Sequence, residues 1–349
     1  MRNQRRVVKI SLSEELEQLL FAPVLKKREI EALQERCESY QIGAPRQWSG
    51  DVFRAYAQYF GALSALKMKS VLQELDQYGY LNIWDGAPKN IYDFGAGTLG
   101  ATLGAVDFFK EKGAPIPNAF AFDDDPKPID WARREFESFL PKSIQAKKLN
   151  SFENSLIIAS DVFNEMGLMS EREQIDSEGH WFKEIDGWIE KATPTTLIIL
   201  IEPASKQINR NFLTLRNIIS KKIPILLPCT HQKACPALLT NDWCHEERDY
   251  KVPSSYWNLV RQMGFRKGLL QFSMLCLGRQ TSRFQQEDGR MVSRPIKSKG
   301  RCEKWLCADG KRWKSSLLNR NKSEVNEDFF EAARGDIVHC SANGISIPQ

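Results

Sequence analysis

A cluster of cysteines and histidines between residues 229 and 245 carries the side chains of this chain that are best suited to metal chemistry. Three of the eight cysteines and two of the four histidines fall within these seventeen residues, namely Cys229, Cys235, Cys244, His231 and His245. Thiolates and imidazoles bind soft and borderline metals. Five residues separate the first cysteine from the second and eight separate the second from the third, whereas zinc knuckles pair ligands about two to four residues apart. The longer spacings favour ligands looped around a larger group, such as an iron–sulfur cluster, which needs about four thiolates.

The cluster lacks a local fourth thiolate, and Cys302 and Cys307 are the candidates for it. Three other interpretations stay open. The first is a zinc site with His231 or His245 as the fourth ligand, and the second is three unrelated buried cysteines. The third makes Cys229 a nucleophile, as in RNA methyltransferases that use a Pro-Cys element.

A glycine-rich turn is the second feature with chemical potential. Gly95, Gly97 and Gly100 have the G-x-G-x-x-G spacing and follow the apolar segment Ile91–Phe94. Glycine allows a tight turn and lets a ligand approach the backbone without a clash against a Cβ atom. The pattern alone fits NAD and S-adenosylmethionine (SAM) alike.

Acidic residues accompany three of the predicted strands. Asp93 precedes the first glycine by two residues, Asp123 follows the second strand, and Asp161 ends the strand predicted at 156–161. A carboxylate after the second strand can accept hydrogen bonds from ribose hydroxyls, and Asp123 is preferred to Asp124 for this role. An acid at the position of Asp93, the long helical region before the turn and the sequences at the ends of the later strands favour SAM over NAD. No catalytic residue is evident.

The order of predicted elements indicates an α/β fold. Residues 10–80 have helical periodicity, and Ser11 and Glu14 have the spacing of a capping box at the first helix. From residue 90 to 278, short apolar strands alternate with helices, which is typical of a doubly wound α/β sheet. Together with the glycine turn and the acids that favour SAM, this order leads us to predict the Rossmann-like class I SAM methyltransferase fold. We predict three domains: an N-terminal helical region at 1–85, a SAM-binding domain at 86–279 that contains the cysteine cluster, and a small basic β appendage at 280–349.

The appendage concentrates positive charge. Residues 279–322 contain thirteen Lys and Arg against four Asp and Glu, a net charge of +9 in a chain whose formal charge is +5. Such a segment suggests nucleic-acid phosphates as the partner, and a solvated surface is the alternative. Residues 303–307 and 313–317 are predicted to form two strands around a turn at Asp309-Gly310.

The chain has the composition of a globular protein from a reducing compartment. Its longest apolar segments, such as Thr196–Ile201, are far shorter than the roughly 20 residues that span a bilayer, so we expect no membrane association. Eight cysteines without a secretory signal do not resemble a disulfide scaffold. We expect a monomer in a bacterial cytoplasm, with a mitochondrial matrix as the alternative compartment.

The segment from Pro228-Cys229 through Cys235-Pro236 to Trp243-Cys244-His245 resembles the methyltransferase-like small-ribosomal-subunit assembly factors, which are the Rsm-type mitoribosomal proteins and their bacterial relatives. Further similar segments are Asp93–Gly97, residues 159–165, Glu202-Pro203 and residues 306–310. The resemblance runs from about residue 50 to about residue 340.

This resemblance implies a 4Fe–4S cluster held by Cys229, Cys235, Cys244 and Cys307, because Cys307 matches the family's Leu-Cys-x-Asp-Gly element better than Cys302 does. It also implies association with small-subunit ribosomal RNA. The chain departs from the family after Glu202-Pro203, where relatives have a turn with Gly and Thr. The resemblance therefore supports SAM binding more strongly than it supports methyl transfer.

We therefore predict a factor for assembly of the small ribosomal subunit and for translation. It binds SAM and an iron–sulfur cluster and contacts ribosomal RNA, and the cluster fixes the basic appendage to the sheet. The alternatives are an active SAM-dependent RNA methyltransferase and a zinc-containing methyltransferase of small molecules.

Overall fold

The computed structural model describes residues 9–41, 48–141, 151–163, 180–265, 268–341 and 344–346. The elements up to the fourth strand are, in chain order, α1 (Glu14–Phe21), α2 (Lys27–Gln41), α3 (Phe53–Tyr56), a π-helical segment (Ala57–Gly61), α4 (Ala62–Gln77), β1 (Asn90–Phe94), α5 (Gly100–Glu111), β2 (Asn118–Phe122), α6 (Lys127–Glu135), β3 (Ser155–Ser160), α7 (His180–Lys191) and β4 (Thr196–Pro203).

The later elements include most of the strands. They are α8 (Lys206–Ile219), β5 (Ile225–Leu227), a 3-10 helix (Pro236–Leu239), β6 (Glu246–Arg248), α9 (Ser254–Gln262), β7 (Leu270–Gly278), β8 (Asp288–Met291), β9 (Ile296–Ser298), β10 (Arg301–Ala308), β11 (Lys311–Leu318), α10 (Glu327–Glu331), β12 (Ile337–Ser341) and β13 (Gly344–Ser346). Among the described residues, no helix is both long and apolar enough to cross a bilayer.

The described chain forms two compact units, each built from separate stretches of sequence. The first comprises residues 1–167, 191–201 and 248–270, and the second comprises residues 168–190, 202–247 and 271–349. The three-domain division at residues 85 and 279 stays a prediction.

The first unit contains a parallel sheet in the order β2-β1-β3-β4. Strand β3 and the part of β4 in this unit are almost entirely buried, as expected for parallel strands covered on both faces. The chain leaves β1 for β2 on one side and later returns to β3 on the other side. Ligands of doubly wound folds bind at the carboxyl ends of the strands at such a switch point. This arrangement confirms the predicted α/β, Rossmann-like fold class.

Close contact between helices brings the N-terminal helical region against the sheet. A Cβ atom added to Gly100 would lie 2.7 Å from the carbonyl oxygen of Gly61, and one added to Gly104 would lie 2.6 Å from Cα of Ala65. Glycine at these two positions therefore lets α5 pack directly on the backbone of the π-helical segment and α4.

Helix α1 does not begin with the capping box predicted at Ser11 and Glu14, so this prediction was wrong. The N-cap is Ser13, whose hydroxyl oxygen accepts a hydrogen bond from Leu16 N–H at 3.3 Å. Ser13 is itself held by Asp107, which accepts from its backbone N–H at 3.1 Å and from its hydroxyl. This contact with a residue of α5 fixes the first turn and could not be inferred from local spacing.

The second unit contains β5 antiparallel to β7, β6 beside β7, and a further sheet in the order β11-β10-β8-β12-β13 with β9 paired to β10. The predicted hairpin is confirmed: β10 and β11 are antiparallel around Asp309 and Gly310. These two residues have φ angles of 47° and 75°, the left-handed values that a tight two-residue hairpin turn requires.

Two basic residues of the appendage, Lys304 and Arg290, are buried in its interior. Lys304 is fully buried, and its ammonium group donates to the carbonyl oxygens of Phe329, Phe330 and Ala332 near the end of α10. Arg290 is also buried and forms a two-point ion pair with Glu246, with both N···O distances at 2.9 Å. The net charge of the segment therefore overstates what its surface offers to a partner.

Candidate functional site

The glycine turn lies at the carboxyl end of β1, at the switch point of the parallel sheet. Gly95 and Gly97 have φ angles of 69° and 49°, which glycine adopts without steric cost. A Cβ atom at Gly95 would lie 2.5 Å from Cγ2 of Val162, whereas one at Gly97 would meet no atom within 4 Å. The backbone at Gly97 thus borders open space that can admit a ligand.

Asp93 braces this turn against the following helix. Its buried carboxylate accepts hydrogen bonds from the backbone N–H and the hydroxyl of Thr102, at 3.2 and 2.6 Å. Burial raises the pKa of Asp93 to about 7, although the bonds from Thr102 act in the opposite direction. The contacts of this acid are therefore internal, and they set the geometry of the turn.

Asp123 is the acid that reaches the turn from the end of β2. Its carboxylate accepts from the N–H of Gly97 at 2.9 Å and from the N–H of Asp125 at 3.2 Å. Burial raises its pKa. Asp124, the second choice from the sequence, is exposed. A carboxylate has about four acceptor positions, so Asp123 has capacity left for hydroxyl groups of a ligand.

Asp161 follows β3 and is engaged by a residue that sequence reasoning missed. Its backbone is left-handed, with φ at 59°, and its two carboxylate oxygens lie 3.0 and 2.8 Å from Nζ of Lys67 in α4. The hydroxyl of Ser64 donates to it at 3.3 Å. Since Lys67 and Asp161 are 94 residues apart, no local spacing signals this pair.

The remaining predicted ligand residue of the turn, Gly100, has a packing role that explains its identity, because its position faces the backbone of Gly61. Asn164 and Glu165, which belong to the similar segment at 159–165, lie outside the described residues.

The four predicted metal-binding cysteines line one cavity of the second unit. Cys229 follows β5, Cys235 precedes the 3-10 helix, Cys244 precedes β6, and Cys307 belongs to β10. Their cavity has a volume of about 560 Å³, part of it open to solvent, and mainly apolar walls. Cys302 lies elsewhere, in an apolar cluster that includes Leu306 and Phe329. The structure therefore brings Cys307, and not Cys302, to the other three thiols.

Helix α8 holds the cysteine loops by their backbone. The side-chain amide of Asn209 accepts from the N–H of Cys244 at 2.9 Å and donates to the carbonyl oxygen of the same residue. The side-chain oxygen of Asn217 accepts from the N–H of Cys235 at 2.8 Å. Arg216, which is fully buried, donates to the carbonyl oxygen of His231 at 2.7 Å. None of these positions carries a recognisable sequence signal.

The electrostatics of the cavity disfavour free thiolates. Burial raises the pKa of Cys235 and Cys307, and raises that of Cys244 to about 12. The neighbouring thiols add to the effect, as does Glu246 beside Cys244. Cys235, Cys244 and Cys307 therefore stay protonated unless a cation accompanies their ionisation. In the described part of the chain, no group of three or more His, Cys, Asp or Glu side chains is arranged to hold a metal ion.

The two histidines of the cluster have different surroundings. Nε2 of His231 lies 3.6 Å from Sγ of Cys307, and its Nδ1 has no hydrogen-bond partner among the described residues. Burial, reinforced by Arg216, lowers the pKa of His231 to about 4, so this ring is neutral. His245 lies between Glu247 and Arg334, at 3.2 Å from each. His231 therefore faces the thiol of Cys307, whereas His245 belongs to a largely buried network with Glu247 and Arg334.

Ion pairs join the cysteine loops to the basic hairpin. Nζ of Lys233 lies 2.5 Å from a carboxylate oxygen of Asp309 in the hairpin turn. A Cβ atom at Gly310 would lie 2.9 Å from Cβ of Lys233, so the turn packs closely on this lysine. Arg312 of β11 lies 2.8 Å from Asp242 in the loop before Cys244. The hairpin is thus attached to the cysteine loops at two residues that follow Cys307, Asp309 in the turn and Arg312 in β11.

The appendage presents its other basic residues at the surface. Nine of the twelve basic side chains that the structure describes between residues 279 and 322 are exposed: Arg279, Arg283, Arg294, Lys299, Arg301, Lys311, Lys314, Arg320 and Lys322. Several form ion pairs with partly buried acids, including Arg294 with Glu247 and Lys314 with Glu303. An anionic partner can reach these cations because their side chains are exposed.

The parallel sheet, its switch point and the glycine turn define a Rossmann-like protein of the class I methyltransferase type. A family model described as mitochondrial small ribosomal subunit Rsm22 matches residues 52–338, and the chain belongs to this family. It is therefore a ribosome-related protein with a methyltransferase fold. A comparison with curated proteins gave no match.

Solved structures with some likeness are methyltransferases. Magnesium protoporphyrin IX methyltransferase from Synechocystis with bound SAM is 9% identical, covers 74% of this chain and 100% of its own, and has a TM-score of 0.36. Precorrin-6y C5,15-methyltransferase from Geobacter metallireducens is 11% identical, covers 57% of this chain and 85% of its own, and has a TM-score of 0.33. At these scores the likeness carries no inference about the function of this chain.

Proposed function

We propose that this chain is an assembly factor of the small ribosomal subunit that binds SAM, holds a 4Fe–4S cluster and contacts ribosomal RNA through its basic appendage. The observation that carries the proposal is the convergence of four cysteines from separate segments on one cavity. One of these cysteines, Cys307, belongs to the basic hairpin.

The number and the surroundings of the thiols agree with a cluster. A 4Fe–4S cluster takes four cysteine ligands, which agrees with four thiols around a cavity. Metal–thiolate bonds would also offset the burial that keeps Cys235, Cys244 and Cys307 protonated.

In this proposal the cluster has a structural role. Cys229, Cys235 and Cys244 of the loops and Cys307 of strand β10 would hold the cluster and so link these two regions. The ion pairs Lys233–Asp309 and Arg312–Asp242 join the same two regions, but Lys233 is largely exposed and exposed pairs are weak. Loss of the cluster therefore loosens the hairpin and the cations that it presents.

The proposed SAM site is the space beside Gly97. Asp123, already bonded to the N–H of this glycine, accepts hydrogen bonds from the ribose hydroxyls. Methyl transfer needs only a donor held in line with a nucleophile. An active RNA methyltransferase would share this site, and an assay of methyl transfer to small-subunit RNA separates the two functions.

The compartment is also a proposal. The family description names mitochondria, and a mitochondrial matrix is one candidate compartment. A bacterial cytoplasm is the other.

Anaerobic purification tests the cluster. We expect a brown protein with absorbance near about 400 nm and about four iron and four sulfide per chain. Cys307→Ser should lose most of the iron, whereas Cys302→Ser, a matched change in the same strand, should keep it. A colourless wild type with stoichiometric zinc would contradict the proposal.

Binding to small-subunit ribosomal RNA tests the appendage. The affinity should fall steeply with salt, because cations that neutralise phosphates release counterions. Replacing Lys311 and Arg320 by Glu should weaken binding and reduce the salt dependence. The same charge reversal at Lys27 and Lys89, two exposed lysines of the first unit, is the control. It should leave the RNA affinity and its salt dependence unchanged. Equal effects of the two double variants would refute a specific role of the appendage.

A further inference from the structure

Lys67, close to the glycine turn, has one hydrogen-bond donor without an acceptor in the described part of the chain. An ammonium group carries three N–H donors, and the structure pairs Nζ of Lys67 with the two oxygens of Asp161. No third acceptor for this group is present among the described residues. The pair therefore lacks one acceptor.

The missing acceptor matters because Lys67 is buried. The residue is only 9% exposed, so little water reaches its ammonium group. Buried donors, and charged ones above all, almost always have partners because an unsatisfied one costs free energy. An acceptor supplied by a ligand would complete the group.

The position of Lys67 places such an acceptor in the proposed SAM site. Asp123 follows β2 and Asp161 follows β3, on opposite sides of β1 and its turn. Val162, next to Asp161, contacts the position of a Cβ atom at Gly95. A ligand whose ribose is held by Asp123 and which passes over the turn at Gly97 reaches the Lys67–Asp161 pair with its other end.

The pair is complementary to an α-amino acid. It offers one cation and one anion side by side, and the amino-acid end of SAM carries a carboxylate beside an ammonium. We propose that Lys67 binds the carboxylate of this end while Asp161 accepts from its ammonium. The pair thereby selects S-adenosyl amino acids over simple nucleosides. This inference rests on the proposed binding of SAM and adds the specificity of that site.

Calorimetric titration with two ligands tests the inference. S-adenosylhomocysteine carries the amino-acid end, and 5′-methylthioadenosine has the same thioether-linked adenosine without it. The wild type should prefer the first ligand. Lys67→Met should weaken binding of S-adenosylhomocysteine by about 10- to 100-fold, which corresponds to one charge-assisted hydrogen bond, and should change binding of methylthioadenosine by less than about twofold.

Two variants serve as controls. Lys112→Met makes the same substitution at a lysine that pairs with Asp76 at 2.5 Å, away from the turn, and should leave both affinities unchanged. Lys67→Arg keeps the cation and should keep most of the preference, which separates loss of charge from loss of folding.

The possible outcomes are distinct. If Lys67→Met weakens both ligands equally, the residue only supports the fold and the inference is wrong. If it weakens neither, the carboxylate binds elsewhere and the inference is again wrong. If the wild type binds methylthioadenosine as tightly as S-adenosylhomocysteine, the site has no amino-acid specificity, although a nucleoside site is present. If it binds neither ligand, the proposed SAM site itself is refuted.

Discussion

The side-chain amide of Asn209 bonds to both backbone groups of Cys244, accepting from its N–H at 2.9 Å and donating to its carbonyl oxygen. It also donates to Ser273 Oγ at 2.7 Å. One fully buried side chain thus fixes the orientation of a cysteine that we propose as a cluster ligand.

Replacing this asparagine should affect both stability and metal content. Asn209→Ala leaves the buried partners without hydrogen bonds, each at a cost of about 1–3 kcal/mol. We expect the free energy of unfolding to fall by about 2–4 kcal/mol and the iron content after anaerobic purification to fall with it. Asn319→Ala, at an exposed position, is the control. Unchanged stability and iron in Asn209→Ala would contradict this role.

The buried ion pair of Glu246 and Arg290 should show strong coupling. Arg290→Met leaves a buried carboxylate near Cys244 and should cost about 3–5 kcal/mol of stability. Glu246→Leu combined with Arg290→Met removes both charges, and the double variant should be more stable than Arg290→Met alone. Urea unfolding of the four proteins in the cycle measures the coupling. Additive effects would show that the two residues act independently.

Stability should depend on pH through Asp93. Its pKa is about 7 in the folded protein against an ordinary value of 3.8, so between these values the folded state binds the proton and the unfolded state does not. The wild type should therefore lose stability relative to Asp93→Asn as the pH rises from about 4 to about 7, by on the order of 4 kcal/mol or less. The difference should then stay constant above this range.

The asparagine is a suitable reference because its side-chain oxygen can accept both hydrogen bonds from Thr102, as the protonated acid does. Chemical unfolding of both proteins across this pH range measures the difference. A difference that is flat with pH, or that grows in favour of the wild type, would show that Asp93 titrates near its ordinary value.

A pair of glycine substitutions should have opposite effects on stability. Gly104→Ala forces a Cβ atom against the backbone of Ala65 and should destabilise the protein by about 1–3 kcal/mol or more. Gly187→Ala, inside helix α7 with no atom near the new Cβ, should stabilise it by about 0.5–1 kcal/mol. Thermal and urea unfolding compare the two. Similar effects of both changes would argue against close contact at Gly104.

The elements with a strong local pattern could be predicted from the sequence. The strand expected at 156–161 lies at Ser155–Ser160, because a run of apolar residues has few alternatives to a buried strand. The hairpin around Asp309-Gly310 was equally clear, because these residue types suit the left-handed turn.

The contacts that complete each site could not be predicted. In the sequence, nothing distinguishes Lys67 from other lysines of a helix, and only the tertiary fold brings it to Asp161. The net charge of the appendage gave no sign that Arg290 and Lys304 are buried. Such partners are far apart in sequence, and neither composition nor periodicity indicates which distant residues come into contact.

The direct contact of α5 with α4 determines how the protein can be divided. A shorter chain that starts at residue 86, the predicted domain boundary, would keep Gly97, Asp123 and Asp161 but lose Lys67 and the surface on which Gly104 packs. Asp161 would then be an acid without its cation, and one side of α5 would be open to water. The smallest piece with a complete ligand pocket therefore includes α4, and the family match, which begins at residue 52, includes it as well.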